Sequence, residues 1–203
     1  MSNNIKPIIF DLNDVRKKAK NGDKFACYIL GRSYDSEENG AGQSFEKAMY
    51  RYGKGKELGD SRSAYGVGAC YYFGDGVEQD KEKAKQIHVE AYKALLELIN
   101  EEEQNPRKQA FSKICLGAYY YFGFGDIEID EKKAFELIHD CAMQGHLPAI
   151  YDLGANFYYN GVGTEKNLRL SECYLKMAVD AGLPRAKTKY EQYKSEYESE
   201  LEK

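Results

Sequence analysis

No tryptophan, no Cys-x-x-Cys pair and no long apolar run occurs in this 203-residue chain. A membrane-spanning helix needs about 20 consecutive apolar residues, and no window approaches that. The opening stretch gathers apolar side chains at Ile8, Ile9, Phe10 and Leu12, a run too short for a secretory signal. The expectation is a cytoplasmic protein with no membrane contact. A basic excess is also missing: 29 Lys and Arg stand against 33 Asp and Glu, a net charge of −4, so there is no electrostatic footprint for nucleic acid.

The residues of common active sites are equally sparse. There are three histidines, His88, His139 and His146. No His-Glu-x-x-His or paired Cys/His spacing accompanies them, so no metal is expected and they read as surface or edge residues. The five cysteines, Cys27, Cys70, Cys115, Cys141 and Cys173, are odd in number and irregularly spaced. They read as small buried hydrophobes in a reducing compartment. No Gly-x-Ser-x-Gly elbow is present. Nothing points to a cofactor or to catalysis.

What is abundant is glycine, 19 residues, and tyrosine, 18 residues, and both recur in a pattern. The segments AYGVGACYYFGDGV (64–77), KICLGAYYYFGFG (113–125) and IYDLGANFYYNGVG (150–163) are copies of one another, with a worn copy, CYILGRSYDSEENGAG, at 27–42. Anchoring on Gly31, Gly68, Gly117 and Gly154 gives steps of 37, 49 and 37 residues, the middle one carrying an insert of 12. Small residues lie five before each anchor (Ala26, Ser63, Ser112, Ala149), aliphatic ones just before it, and aromatic ones three after (Tyr34, Tyr71, Tyr120, Phe157). A glycine-rich turn follows, then an N-cap residue, Ser44, Asp80, Asp130 or Asn167. A second segment then carries small residues seven apart, Ala48/Gly55, Ala84/Ala91, Ala134/Cys141 and Ser171/Ala178. Each unit therefore reads as helix, turn, helix. Such hairpins bury their apolar faces only by stacking.

The turn Gly74-Asp75-Gly76 invites a phosphate or calcium reading. It lacks the Lys and Ser/Thr of a phosphate loop, and Asp75, Glu78 and Asp80 do not have calcium-loop spacing. The fourth copy, NGVGTEKN, keeps the glycines and only one carboxylate. Backbone geometry is what repeats, so the turn is structural.

The combined pattern resembles the Sel-1-like repeat family, relatives of tetratricopeptide repeats, best in ACYYFGDGVEQDKEKA (69–84) and GAYYYFGFGDIEIDEKKA (117–134). The resemblance covers residues 22–190. It implies an all-α, right-handed α-solenoid of about four helical hairpins. The expected boundaries are a cap helix in 1–21, repeats at 22–58, 59–107, 108–145 and 146–182, and a C-terminal capping helix at 183–203. The fourth copy departs by one extra residue before Gly161. The insert, around Leu95, Leu96, Leu98 and Ile99, is read as packing on the next repeat, and Glu101-Glu102-Glu103 as a solvated face.

The tyrosines suggest the site. Positions three before, one after and four after the anchor share a helical face. They read Tyr28, Arg32, Asp35; Tyr65, Ala69, Tyr72; Lys113 (four before its anchor), Ala118, Tyr121; and Tyr151, Ala155, Tyr158. If the array resembles tetratricopeptide arrays, this face lines the concave groove. Tyr28, Arg32, Tyr65, Tyr72, Tyr121, Tyr151 and Tyr158 are the candidate protein-binding residues, since tyrosine offers apolar area with a polar tip. The alternative is that they pack against neighbouring helices. The resemblance implies a non-enzymatic adaptor, monomeric on its own, that binds another protein. An acidic immunity protein against a cognate toxin is the second reading. β-Lactamase activity, described for cysteine-rich relatives, is a remote third.

Overall fold

Capping aspartates, asparagines and a serine start almost every helix of this chain. In a computed structural model, which describes residues 5–201, Ser44, Asp80, Asp130 and Asn167 each accept a hydrogen bond from the backbone N–H three residues on. Asp11, Asp23, Asp60 and Asn105 do the same for the remaining long helices before the last. These bonds satisfy donors that a helix N-terminus otherwise leaves open.

The order is α1 (Leu12–Lys20), α2 (Lys24–Asp35), α3 (Phe45–Glu57), α4 (Ser61–Phe73), α5 (Lys81–Glu101), α6 (Pro106–Phe122), α7 (Glu131–Met143), α8 (Leu147–Asp152, continued by a π-helical segment Leu153–Tyr158), α9 (Leu168–Asp180) and α10 (Pro184–Leu201). Consecutive helices pack pairwise, and α2 also meets α4, and α4 meets α6. The result is a helical solenoid with α1 and α10 at its ends. Among the described residues there is no strand, and no helix is long and apolar enough to cross a membrane.

The anchor glycines explain how the helices of each hairpin close on one another. A Cβ built on Gly68 would fall 2.7 Å from the His88 ring, one on Gly117 3.0 Å from Ile138, and one on Gly154 2.8 Å from Leu175; Gly31 faces Tyr52 in the same way. Tyr52, His88, Ile138 and Leu175 each lie four residues after the small residue of the second helix. They form one row of knobs seated over the glycines.

That row corrects the reading of the histidines. His88 is a knob, 1% exposed, with Nδ1 3.1 Å from the Tyr119 hydroxyl and its ring stacked on Phe124. His146 is also 1% exposed and packs edge-on against Phe111. Burial lowers both to about 4. Only His139 is partly exposed. Four cysteines are buried as expected, but Cys173 lies on the outer side of α9 and is exposed.

The insert lengthens α5 to 21 residues, against 13 in α3 and α7, and α6 to 17. At 1.5 Å per residue α5 is about 31 Å long and overhangs the other second helices by roughly 12 Å. It packs on the next repeat: Leu95 is fully buried and Gln109 Nε2 donates to the Ile99 carbonyl at 2.9 Å, although Leu96 remains exposed. Glu102, read as solvated, is instead drawn inward to Arg62, its side chain 11% exposed. Glu101 and Glu103 are exposed.

Gly74 and Gly76 form the tight turn that the sequence indicated. Gly74 ends α4 in the left-handed conformation, φ 84°. Gly76, at φ 71°, lies so close to the start of α3 that a Cβ would be 2.7 Å from the Glu46 nitrogen. The turn is a contact between repeats.

A candidate protein-binding cleft

The first helices of the repeats line a cleft of about 190 Å³ that opens to solvent. Its walls include Tyr28, Arg32 and Asp35 of α2, Tyr65 of α4, Ala118 and Tyr121 of α6, and Asp152 of α8. Six of the twelve positions that the anchor spacing defined therefore line the cleft. In the third copy the lining residue is Ile114, three before Gly117, while Lys113 pairs with Asp140 at 3.4 Å. One residue of offset turns a helical side chain by about 100°, which takes Lys113 out of the cleft.

The proximal wall is tightly packed. Tyr28 is 1% exposed and its hydroxyl lies 3.3 Å from Cys115 Sγ, with Arg32 Nη1 donating to it at 3.4 Å. Burial pushes the Cys115 thiol up to about 11. It is protonated near neutrality and is a poor nucleophile. Tyr65 is half-buried, held by the rings of Tyr119 at 5.5 Å and His88 at 5.7 Å. Tyr121 leans on Phe122 and Phe157. Two cations, Arg32 and Arg185, and two anions, Asp35 and Asp152, lie among these rings. Tyr52 donates to Asp35 at 3.4 Å, and Asn156 to Asp152 at 3.3 Å. Aromatic walls with charges of both signs suit a side chain of a bound protein. Among the described residues no cluster of His, Cys, Asp or Glu is placed to hold a metal.

Of the seven candidate residues, the cleft brings together Tyr28, Arg32, Tyr65 and Tyr121. Tyr72 packs outside it, on Phe73 and Phe124, with Lys81 over its ring. Tyr151 lies under the Arg185 guanidinium, 4.3 Å from the ring centroid. Tyr158 is in the core, 8% exposed and stacked on Tyr174. The cause is the π-helical segment Leu153–Tyr158. A π turn takes up one additional residue, and the fourth copy has one more residue before Gly161 than the second. Side chains beyond Gly154 are thereby shifted by one position: Tyr158 takes the place that Tyr71 and Tyr120 hold in the earlier copies, its carbonyl accepting from the Asn167 N–H as theirs accept from Asp80 and Asp130, and packs against α7 and α9.

Residues the repeat spacing did not indicate are Tyr52, Phe122 and Arg185. Phe122 is 46% exposed and forms, with Phe73 at 49%, an aromatic rim at the C-terminal ends of α4 and α6, ring centroids 6.0 Å apart. Arg185 reaches the cleft from α10, which is not part of a repeat.

Compared with known proteins, the chain matches the Sel1 repeat four times, over residues 24–60, 61–93, 116–146 and 147–183. It is 30% identical over 171 residues to chitin synthase regulatory factor 1 of Schizosaccharomyces pombe, covering 83% of this chain and 34% of that protein. The chain thus spans about a third of that relative's length. Among solved structures, a Sel1 repeat protein from Oxalobacter formigenes is 23% identical with a TM-score of 0.44, covering 89% of this chain and 48% of that one. A sel1 repeat protein from Klebsiella pneumoniae is 17% identical with a TM-score of 0.46, covering 89% and 82%.

Proposed function

This chain belongs to the Sel1 repeat family, and from that premise we propose that it is a non-enzymatic module that binds another protein through the cleft between its first helices. The observation that carries the reading is the cleft itself: Tyr65 and Tyr121 come together from two repeats over the buried Tyr28 of a third, with Arg32, Asp35, Asp152 and Arg185 between them. Repeat arrays use such concave faces because each repeat adds its own side chains to one continuous surface. The exposed Phe73 and Phe122 extend the apolar contact beyond the cleft mouth. A relative whose name describes a regulatory factor is in keeping with a binding role. The five unpaired cysteines support a reducing, cytoplasmic setting.

The test is a binding comparison. Partners captured by the wild-type chain are challenged with Tyr121→Ala/Phe122→Ala, whose side chains are respectively half-buried and exposed. Loss of the partner by a variant that keeps its helical circular dichroism supports the cleft. Retention by the folded variant moves binding to another face.

A further inference from the structure

We propose that the edge formed by the N-terminal ends of α2 and α6 and the α7–α8 turn is a second docking site, for an extended peptide. This chain's own residues 5–10 occupy it in the free protein. These residues are non-helical and run from the end of the third repeat to the turn of the first. The Ile8 N–H donates to the Gly145 carbonyl at 2.7 Å, and the Phe10 N–H to Asn39 Oδ1 at 2.9 Å. Backbone bonds at alternate residues, with a seat for the side chain of one of them, are how an extended peptide is read.

The receiving surface is shaped for such a segment. Gly145 has φ 86°, and a Cβ there would collide with the Lys6 carbonyl oxygen. Asn39 is held in the left-handed region, φ 56°, its amide donating to Ser33 Oγ at 3.0 Å, which leaves Oδ1 aimed at the peptide. The Phe10 ring sits 5.8 Å from Phe111 and 6.5 Å from Phe25, with the Arg107 guanidinium 4.9 Å from its centroid. Phe25 and Phe111 both lie six residues before an anchor glycine, so the seat is built from the repeat register. The segment alternates: Lys6 is exposed and Ile9 is 57% exposed, while Ile5, Ile8 and Phe10 are partly buried. It does not satisfy the floor. His146, packed on Phe111, is fully buried, and neither ring nitrogen has a hydrogen-bond partner.

The partner chemistry is that of the segment: extended backbone, a β-branched residue, then an aromatic ring two positions on. Such a partner displaces residues 5–10. Phe25 and Phe111 also touch Tyr28, so the vacated edge is continuous with the cleft.

The experiment uses the full chain and a fluorescent synthetic peptide of residues 5–11. A tethered segment competes at millimolar effective concentration, so Phe10→Ala should bind the peptide at least ~10-fold more tightly than wild type. A control peptide with alanine in place of the phenylalanine should not bind. In wild type, the Ile8 and Phe10 amides should exchange with solvent through a local opening, faster than the amides of buried α6. A Phe10→Ala chain that keeps its helical signal but fails to bind overturns the proposal. So do Ile8 and Phe10 amides that exchange only with global unfolding, a reading that stands even if the variant misfolds. A wild-type dimer that Phe10→Ala dissociates would assign the edge to a second copy's segment and overturn occupation within one chain.

Discussion

Arg62 Nη1 donates to Glu102 Oε1 at 2.9 Å, joining residues 40 apart in sequence and tying α4 to the end of the overlong α5. The guanidinium is buried, with Asp60 Oδ1 accepting from Nε and Nη2 at 3.0 and 2.7 Å and the Phe25 ring 4.6 Å away. Asp60 also caps α4 through Ser63, and Glu102 accepts from Ser112 at 2.8 Å. Breaking a buried pair from one side leaves an uncompensated charge, which costs about 3–5 kcal/mol. Arg62→Ala should lose that much in urea unfolding. Glu102→Gln, which can still accept a hydrogen bond, should lose distinctly less. Equal, sub-kilocalorie effects would mean that the cluster is solvated.

The anchor glycines should differ in their tolerance of a methyl group. At Gly154 a Cβ meets the backbone nitrogen of Leu175 at 2.9 Å and the Ser171 carbonyl at 3.0 Å, atoms that cannot swing aside. At Gly117 it meets chiefly the end of the Ile138 side chain, at 3.0 Å. Overpacking costs about 1–3 kcal/mol. Gly154→Ala should fall at the upper end of that range and Gly117→Ala at or below the lower. Chemical denaturation of the two variants gives the order, and the reverse order would overturn the knob-over-glycine account.

The buried histidines make stability fall in mild acid. His88 and His146 are lowered to about 4 by burial, from an ordinary value of 6.5. The unfolded chain therefore binds protons that the folded chain refuses. Stability is fully present above about pH 6.5 and declines as pH falls toward 4, by up to roughly 1.4 kcal/mol per unit for each histidine. A His88→Gln/His146→Gln variant, compared with wild type at pH 7 and pH 5, should lose less stability over that interval. Parallel profiles would show that carboxylates alone account for the acid sensitivity.

Thiol reactivity should divide the cysteines four to one. Burial raises Cys70 and Cys141 to about 12 and Cys115 to about 11, and Cys27 upward as well, whereas Cys173 is exposed. A native thiol titration should count one fast-reacting group, lost in Cys173→Ser, with the other four appearing on unfolding. Two or more fast thiols in the folded protein would contradict the packing described.

The sequence by itself determined the repeats, the helical hairpins and their caps, because each depends on spacings within a single helix or turn, and it placed four of the seven candidate residues at the cleft. Tyr28, Arg32, Tyr65 and Tyr121 follow from one anchor glycine and a period of 3.6 residues. What only the tertiary structure decided depends on elements distant in sequence. Glu102 stands in an acidic run, and its burial is set by Arg62, 40 residues earlier. His88 is polar in isolation, but its place in the knob row over Gly68 buries it. The extra residue of the fourth copy is visible as a count. That it enters as a π turn, which moves Tyr158 from the cleft face into the core, was settled by packing against α7 and α9. Arg185, from outside the repeats, and the seat of residues 5–10 depend on contacts between distant elements, the latter on the packing of the first repeat against the third through Phe25 and Phe111.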